Sequence, residues 1–235
     1  SVALATAIFP ALSRHASADD RPGLADTLRR GIEMSLLIAV PATVGLVLLR
    51  TEIVQLIFEG GSFTASATAR VAWVTTFYVL GLAAFSTQHL LIRVFYALKE
   101  ATTPVKIAVA MVALNLPLNH TLVWFMDEAG LALSTTLCAA LQASWLAWLL
   151  RRRLGPLGGR RIAASLGKTL IASAVMGGAV WLTRFGTIEL WGYALPGWVG
   201  RLGKTLGPVA VGGIVFYLTA RLLKIPVLRE LFSRD

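Results

Sequence analysis

The sequence predicts an all-α polytopic membrane protein, a bundle of six complete transmembrane helices preceded by the end of a seventh. Two observations predict this class. Of the 235 residues, 56% are hydrophobic and only 14% are charged, whereas about 25% of the residues in a soluble domain are charged. The apolar residues are also grouped in runs of about 20, the length that a helix needs to cross a bilayer.

Six apolar runs are long enough to cross the membrane as helices. They cover residues 31–49, 71–97, 105–126, 129–150, 162–183 and 205–223. Residues 1–12, SVALATAIFPAL, have the composition of the last turns of a preceding span. Because they include neither an initiator Met nor the basic start of a signal peptide, we expect the chain to begin inside a longer protein.

Two further short helices are predicted in the connections. In SRHASADDRPGLADTLRR, Asp20 before Pro22 marks a helix start, and the basic residues at the far end suit the helix dipole. We expect a short cytoplasmic surface helix there. After the first span, EIVQLIF is too short to cross the bilayer and is followed by Gly60 and Gly61, which predicts an interfacial helix and a turn.

Basic residues are distributed unequally between the two sides of the predicted bundle. Of the 22 Lys and Arg residues, 16 fall on one side, five fall on the other, and Arg93 lies within a span. Cytoplasmic loops carry an excess of Lys and Arg, so the first side, with the C-terminus, is predicted to be cytoplasmic. The cytoplasmic loops are then those around Arg30, Lys99 and Arg152, and the outer loops those around Phe63, Asp127 and Trp191. Topology thus explains the net charge of +10, and no nucleic-acid partner is predicted.

The residues that carry catalysis and metal binding are sparse. His15, His89 and His120 lie in a surface loop, in mid-span and in an outer half-span, without repeated metal-ligand spacing. Cys138 is the single cysteine, so it is predicted to be a small core residue rather than part of a disulfide or a redox motif. No base, nucleophile and metal ligands are predicted to meet at one depth, and we therefore expect neither an enzyme nor a metal site.

Arg93 is a charged residue inside an apolar run, near its predicted cytoplasmic end, and Gln88 adds polarity about one turn earlier. The guanidinium group of such a residue either extends to the membrane surface or faces a cavity that receives an anionic substrate. Arginine suits a phosphate because its planar fork donates two hydrogen bonds and keeps its charge. Arg93 and Gln88 are therefore the candidate substrate-binding residues.

A second polar group lies in the next span. Asn115 and Asn119 are four residues apart and share a helix face, and Pro117 between them removes a backbone hydrogen bond, which predicts a kink. Thr135 of the following span is expected at a similar depth. These residues form either a hinge with interhelical hydrogen bonds or a site for a hard cation.

Four stretches together resemble the MurJ/MviN family of the MOP superfamily, the lipid II flippases of peptidoglycan synthesis. They are ALATAIFPALSR, AVPATVGLVLLRTEIVQLIFEGGSFT, RVFYALKEATTPVKI and GLALSTTL. The most specific motifs are FxxGxFT at 58–64 and FYAxxxxxTPVK at 95–106. On this resemblance, residues 1–150 hold the core helices of the C-terminal lobe, and 151–235 hold the basic inner loop and the last two transmembrane helices.

The resemblance implies one lobe of a two-lobe, fourteen-helix flippase in the bacterial inner membrane. The family moves undecaprenyl-pyrophosphate-linked peptidoglycan precursor, lipid II, from the inner to the outer leaflet by alternating access. The implied partners are lipid II or a similar polyprenyl-pyrophosphate lipid, membrane lipids, and the N-terminal lobe of the same protein. Arg93 would line the cytoplasmic side of a cationic cavity. No cofactor is implied, with coupling to a monovalent cation kept as an alternative.

Three other functions remain open from the sequence. The chain is alternatively part of a flippase for another polyprenyl-linked saccharide, a MATE-like exporter, or a polytopic enzyme that acts on polyprenyl phosphates. Such an enzyme needs clustered carboxylates or histidines near one membrane face. The predicted inner loops are almost purely basic, which favours transport.

Overall fold

Helices form the secondary structure of the described chain. The computed structural model describes residues 2–58, 64–191 and 198–225, and no strand occurs in these ranges. In chain order the helices are α1 (Val2–Ser17), α2 (Arg21–Leu48), α3 (Arg50–Phe58), α4 (Ala65–Leu80), α5 (Leu82–Ala97), α6 (Thr102–Met126), α7 (Glu128–Leu154), α8 (Gly159–Trp191) and α9 (Trp198–Leu222). The predicted all-α class is confirmed.

The number of membrane-spanning helices also agrees with the sequence. Within the described ranges, α2, α6, α7, α8 and α9 are each long and apolar enough to cross a membrane. α4 and α5, separated at Gly81, are together long and apolar enough for a sixth span if the pair is counted as one broken helix. α1 is a helix of 16 residues in the place predicted for the end of a seventh span. The apolar runs therefore predicted the elements well, although not all of their ends.

The start of α2 is capped as the sequence predicts. The backbone N–H of Gly23 donates a hydrogen bond of 3.0 Å to Oδ1 of Asp20, which satisfies one of the free donors of the first turn. The ring Nδ1 of His15 lies 2.8 Å from the other carboxylate oxygen. The Gly23 N–H, with a smaller contribution from His15, lowers the pKa of the Asp20 carboxyl below its ordinary value.

The predicted separate surface helix before the first span is wrong. α2 begins at Arg21 and continues without a break to Leu48, so the surface segment is the first part of the spanning helix. Leu24, Leu28 and Ile32 explain this continuity: they recur every four residues, and all three are buried. One apolar face therefore extends through the polar segment into the span.

The predicted span 71–97 is interrupted rather than continuous. A Cβ atom on Gly81 would lie 2.7 Å from Oγ1 of Thr136 in α7 and 2.7 Å from the Phe85 ring, so the close approach of α7 requires a glycine here. The predicted short helix after the first span is α3. The predicted turn at Gly60 and Gly61 lies outside the described residues.

The chain packs as two compact units. One comprises residues 1–39 with 80–166, and the other comprises residues 40–79 with 167–235. These units do not follow the predicted boundary at residue 150, which rests on motif content and remains a prediction.

The first unit has its core where α5 packs against α1 and α7. Phe95 is fully buried in this core, together with leucines of α1, α2 and α7 such as Leu12, Leu28 and Leu146. A Cβ on Gly31 of α2 would lie 2.7 Å from Leu90 and 3.2 Å from Ile8, so α2 approaches α5 and α1 closely at this glycine. α6 packs mainly against α7. Its outer residues, such as Val109 and Leu116, are exposed, as expected for a surface that contacts lipid.

The second unit has a smaller core of Leu49, Met176 and Val180. Glycines again mark close approaches: a Cβ on Gly177 would lie 3.0 Å from Val44, and one on Gly212 would lie 2.7 Å from Val180. An ion pair of 2.5 Å between Glu52 and Arg184 connects α3 to α8. These small residues of the last two spans thus allow close helix packing.

Candidate functional site

Arg93 lies in α5, four residues before the helix ends, and its side chain is half-buried. The fully buried Val94 and Phe95 beside it hold this part of α5 in the core. Cζ of Arg93 lies 5.9 Å from the centre of the Phe9 ring on α1, a cation–π contact. Within the described part of the chain, no hydrogen bond or ion pair to the guanidinium group occurs. Its donors are thus available to an anion.

The side chain of Gln88 is hydrogen-bonded to another helix. Its Nε2 donates a hydrogen bond of 2.9 Å to Oε1 of Gln142 on α7. Its own Oε1 is buried and accepts no hydrogen bond from the described residues. Because this free atom is an acceptor, it suits a hydroxyl or amide donor and does not suit a phosphate oxygen.

The two predicted substrate-binding residues do not form one contact surface. Gln88 and Arg93 are five positions apart, which is about 140° around the axis of an α-helix. Accordingly, Gln88 contacts α7 and Arg93 contacts α1. The structure therefore places them on different sides of α5.

The predicted asparagines form an interhelical network. Nδ2 of Asn119 donates a hydrogen bond of 2.8 Å to Oδ1 of Asn115. The hydroxyl of Ser134 on α7 donates to Oδ1 of Asn119. Nδ2 of Asn115 lies 3.4 Å from Oγ of Ser134 and 3.6 Å from Sγ of Cys138. The amides thus connect α6 to α7, the first of the two roles expected from the sequence.

Ser134, rather than the predicted Thr135, completes this network. The Thr135 hydroxyl donates a hydrogen bond of 2.8 Å to the carbonyl oxygen of Leu131 in its own helix, and the residue is only half-buried. Ser134 is fully buried. One residue along a helix rotates a side chain by about 100°, which points the Thr135 hydroxyl away from the network that Ser134 joins.

Pro117 lies inside α6, and the helix continues on both sides of it. Its carbonyl oxygen accepts a hydrogen bond of 3.0 Å from the Thr121 hydroxyl. The predicted kink therefore does not divide the helix, and the hinge role of Pro117 remains a prediction.

A polar row on α7 is the feature that sequence reasoning missed. Ser134, Cys138 and Gln142 are each four residues apart, and all three are buried. The first two contact Asn115 of α6, and the third contacts Gln88 of α5. Their constant spacing of four was the available signal, because such residues share a helix face.

Carboxylates and other metal ligands are not gathered at this depth. The described residues contain no group of three or more His, Cys, Asp or Glu side chains that could hold a metal ion. In the network of α6 and α7, the oxygens of Asn115 and Asn119 already accept hydrogen bonds from protein donors. This set supplies no negative charge, which a hard cation prefers among its oxygen ligands.

The turn after Arg93 is closed by local hydrogen bonds. Lys99 adopts a left-handed conformation, with φ of 58°, and the N–H of Glu100 donates to the carbonyl of Phe95 at 2.9 Å. This is the pattern of a helix C-cap. Glu100 then accepts two hydrogen bonds from the guanidinium of Arg153 at the end of α7. This ion pair connects the turn between α5 and α6 to α7.

Comparison with known proteins identifies relatives of this chain. The family model described as "Lipid II flippase MurJ" matches residues 1–198. Three proteins described as "Probable lipid II flippase MurJ" are similar. The Synechocystis protein is 32% identical, with 93% of this chain and 40% of the relative covered. The Vibrio cholerae protein is 30% identical, covering 94% and 42%, and the Thermotoga maritima protein is 32% identical, covering 89% and 40%.

Solved structures show the same fold. A structure described as "Lipid II flippase MurJ, inward closed conformation" is similar with a TM-score of 0.76 and 20% identity, covering 96% of this chain and 43% of that one. The chain thus spans about two fifths of the length of the curated relatives it matches. The six apolar spans make it a multi-pass membrane protein, and the match over residues 1–198 shows that it belongs to the lipid II flippase MurJ family.

Proposed function

We propose that this chain forms the C-terminal lobe of a flippase that moves undecaprenyl-pyrophosphate-linked peptidoglycan precursor from the inner to the outer leaflet by alternating access. The family match over residues 1–198 carries this proposal. The relatives are more than twice as long as the matched part, so a second lobe of the same protein completes the transport cavity. The protein lies in the bacterial inner membrane, with the C-terminus in the cytoplasm.

Arg93 recognises the pyrophosphate in this mechanism. Its half-buried guanidinium contacts Phe9 and has no acidic partner among the described residues. A charge that is removed from water and not neutralised by the protein binds an anion strongly, because little protein pairing has to be broken. The planar fork can donate two parallel hydrogen bonds to phosphate oxygens.

Gln88 has a different role from the one expected for a phosphate contact. Its buried acceptor Oε1 suits a donor such as a sugar hydroxyl. We therefore assign Gln88 to the saccharide part of the precursor or to a bound water, and Arg93 to the pyrophosphate. Gln88 and Arg93 lie on different sides of α5, which agrees with contacts to two different parts of the precursor.

Transport in this proposal requires no cofactor and no chemical step by the protein. Asn115, Asn119 and Ser134 hold α6 and α7 together, and Pro117 provides the flexibility of α6. Coupling to a monovalent cation is the alternative use of these oxygens, and Thr135 would then have to turn toward them. A flippase for another polyprenyl-linked saccharide, a MATE-like exporter and a polyprenyl-phosphate enzyme have less support, because the family match favours lipid II.

Substitution of Arg93 in the full-length protein tests the proposal. We expect Arg93→Ala to weaken binding of the pyrophosphate lipid by about tenfold to a hundredfold, the equivalent of one or two charge-assisted hydrogen bonds. Arg93→Lys should restore binding only in part, because it keeps the charge and loses the fork. Arg21→Ala is the matched control, since Arg21 is an exposed arginine paired with Asp19. Equal affinity of the Ala, Lys and Gln variants at position 93 would make Arg93 a membrane anchor only.

A further inference from the structure

The connection between α7 and α8 forms an elbow at the end of two membrane-spanning helices. Gly155 and Gly158 both have left-handed backbone conformations, with φ of 84° and 68°, which L side chains rarely adopt. Leu157 between them is buried in the core of the first unit. A Cβ on Gly158 would lie 2.7 Å from Cδ of Arg29. The elbow therefore requires its two glycines for the backbone turn, and Leu157 anchors it to the core.

A groove of about 1110 Å³ opens beside this elbow. Its wall is mostly apolar and includes Ile32 of α2, Trp148 of α7 and Ile162 of α8. Arg151 at the end of α7 and Arg160 and Arg161 at the start of α8 also line it. Because α7 and α8 are both long and apolar enough to span the membrane, their shared end lies at the level where hydrocarbon meets headgroups.

The three groove arginines differ from the other basic residues near them. Arg29 pairs with Asp26 at 2.5 Å and with Glu33 at 2.8 Å, and Arg153 pairs with Glu100. In the part of the chain that the structure describes, the guanidinium groups of the groove arginines form no ion pair, and the groove is lined by no carboxylate. These three charges are therefore available to an external anion.

Trp148 is independent evidence that the groove lies at the level of the lipid headgroups. Its indole is about half-exposed, and Cζ of Arg152 lies 3.7 Å from the ring centre. Tryptophan prefers the headgroup level of a bilayer, and a stacked arginine keeps positive charge beside it. The polar rim and the apolar wall of the groove are thus arranged as a phospholipid is, with the phosphate above the acyl chains.

We propose that this elbow groove is a binding site for an anionic glycerophospholipid of the bilayer, with the phosphate held by Arg151, Arg160 and Arg161 and an acyl chain along the apolar wall. Basic pockets between transmembrane helices bind such headgroups. A bilayer phospholipid is the favoured occupant because its concentration in the membrane far exceeds that of any transported precursor. The site shares no residue with the Arg93 contact and does not depend on which lipid is transported.

The test measures binding of phosphatidylglycerol and of phosphatidylcholine to the delipidated full-length protein in detergent, by native mass spectrometry. Removal of the three charges, with Arg151→Gln, Arg160→Gln and Arg161→Gln combined, should weaken phosphatidylglycerol binding on the order of a hundredfold. The matched control removes three other charges that do not line the groove, with Arg14→Gln, Arg21→Gln and Lys99→Gln combined. It should change binding by less than about threefold.

A second variant tests the apolar groove without changing the charge of the arginines. A Cβ on Gly159 would meet no atom within 4 Å, so Gly159→Phe adds a ring at the groove while leaving all three arginines in place. We expect it to weaken phosphatidylglycerol binding as well, with helicity unchanged. Any one of three results would overturn the site. The first is an equal loss of binding in the groove and control triple variants, and the second is unchanged binding to Gly159→Phe. The third is a wild-type protein that does not prefer phosphatidylglycerol. Displacement of phosphatidylglycerol from the groove by a polyprenyl-pyrophosphate lipid at equal concentration would assign the groove to the transported lipid instead.

Discussion

At the scale of residues, the contrast between paired and unpaired polar groups carries most of the functional information. Arg29 and Arg153 neutralise acidic neighbours and so contribute to structure. Among the described residues, the Arg93 guanidinium group has a cation–π contact but no hydrogen bond or ion pair, and Gln88 retains a buried acceptor. A buried unpaired acceptor costs about 1–3 kcal/mol, so its retention is more easily explained by a ligand than by stability.

Ser134 should contribute to stability while Thr135 should not. Ser134→Ala removes the donor to Asn119 Oδ1 at a fully buried position, and hydrogen bonds between membrane helices are worth about 0.6–1.7 kcal/mol. We expect a loss of that size in the free energy of unfolding, measured by denaturation of the purified protein. Thr135→Ala is the control, because the Thr135 hydroxyl bonds within its own helix and not to α6. Equal losses for both variants would show that the network does not hold α6 to α7.

The residue scale is also where sequence prediction was weakest. Arg93 and the two asparagines were found because polar side chains are conspicuous in apolar runs. Thr135 was predicted and Ser134 was missed because the exact rotation of α7 depends on packing, which a single sequence does not contain. Gln142 was missed because its importance follows from Gln88, 54 positions away in the chain. The unpaired state of Arg93 likewise depends on which acidic residues lie near it in the fold.

At the scale of elements, the length of the apolar runs predicted which segments are helical. Close contacts at glycines explain where a predicted helix is interrupted. The spans were predictable because the bilayer sets a minimum length. The break at Gly81 was not, since it depends on the approach of Thr136 from α7. The continuity of α2 was missed because polar residues hide the buried face of Leu24 and Leu28. Local composition thus predicts which segments are helical, and packing decides where they end.

Pro117 is predicted to act as a hinge within α6. Pro117→Ala restores a backbone donor inside α6 and should make the helix stiffer. We expect folding and insertion to remain normal, or stability to rise, while transport by the full-length protein becomes several-fold slower. Leu116→Ala is the control, because Leu116 is an exposed neighbour. Unchanged transport by Pro117→Ala would eliminate the hinge.

At the scale of the whole molecule, the orientation in the membrane follows from the basic residues. We expect the connection at Arg152 to lie in the cytoplasm and the one at Phe63 to lie outside. Single cysteines at these positions, introduced into a Cys138→Ala background of the full-length protein, should react with an impermeant thiol reagent from opposite sides. Reaction of position 63 from the cytoplasmic side would reverse the topology. Phe63 lies outside the described residues, so its assignment rests on the sequence.

Transfer of fluorescent lipid II between the leaflets of reconstituted vesicles tests whether this chain is one lobe of a lipid II flippase. The full-length protein that contains this chain should transfer it, and Arg93→Ala should slow the transfer. The 235-residue chain alone should insert and fail to transfer, because one lobe cannot alternate access around a cavity shared by two. Transfer by the chain alone, or equally fast transfer of an uncharged polyprenyl lipid by the full-length protein, would contradict a two-lobe flippase that recognises the pyrophosphate.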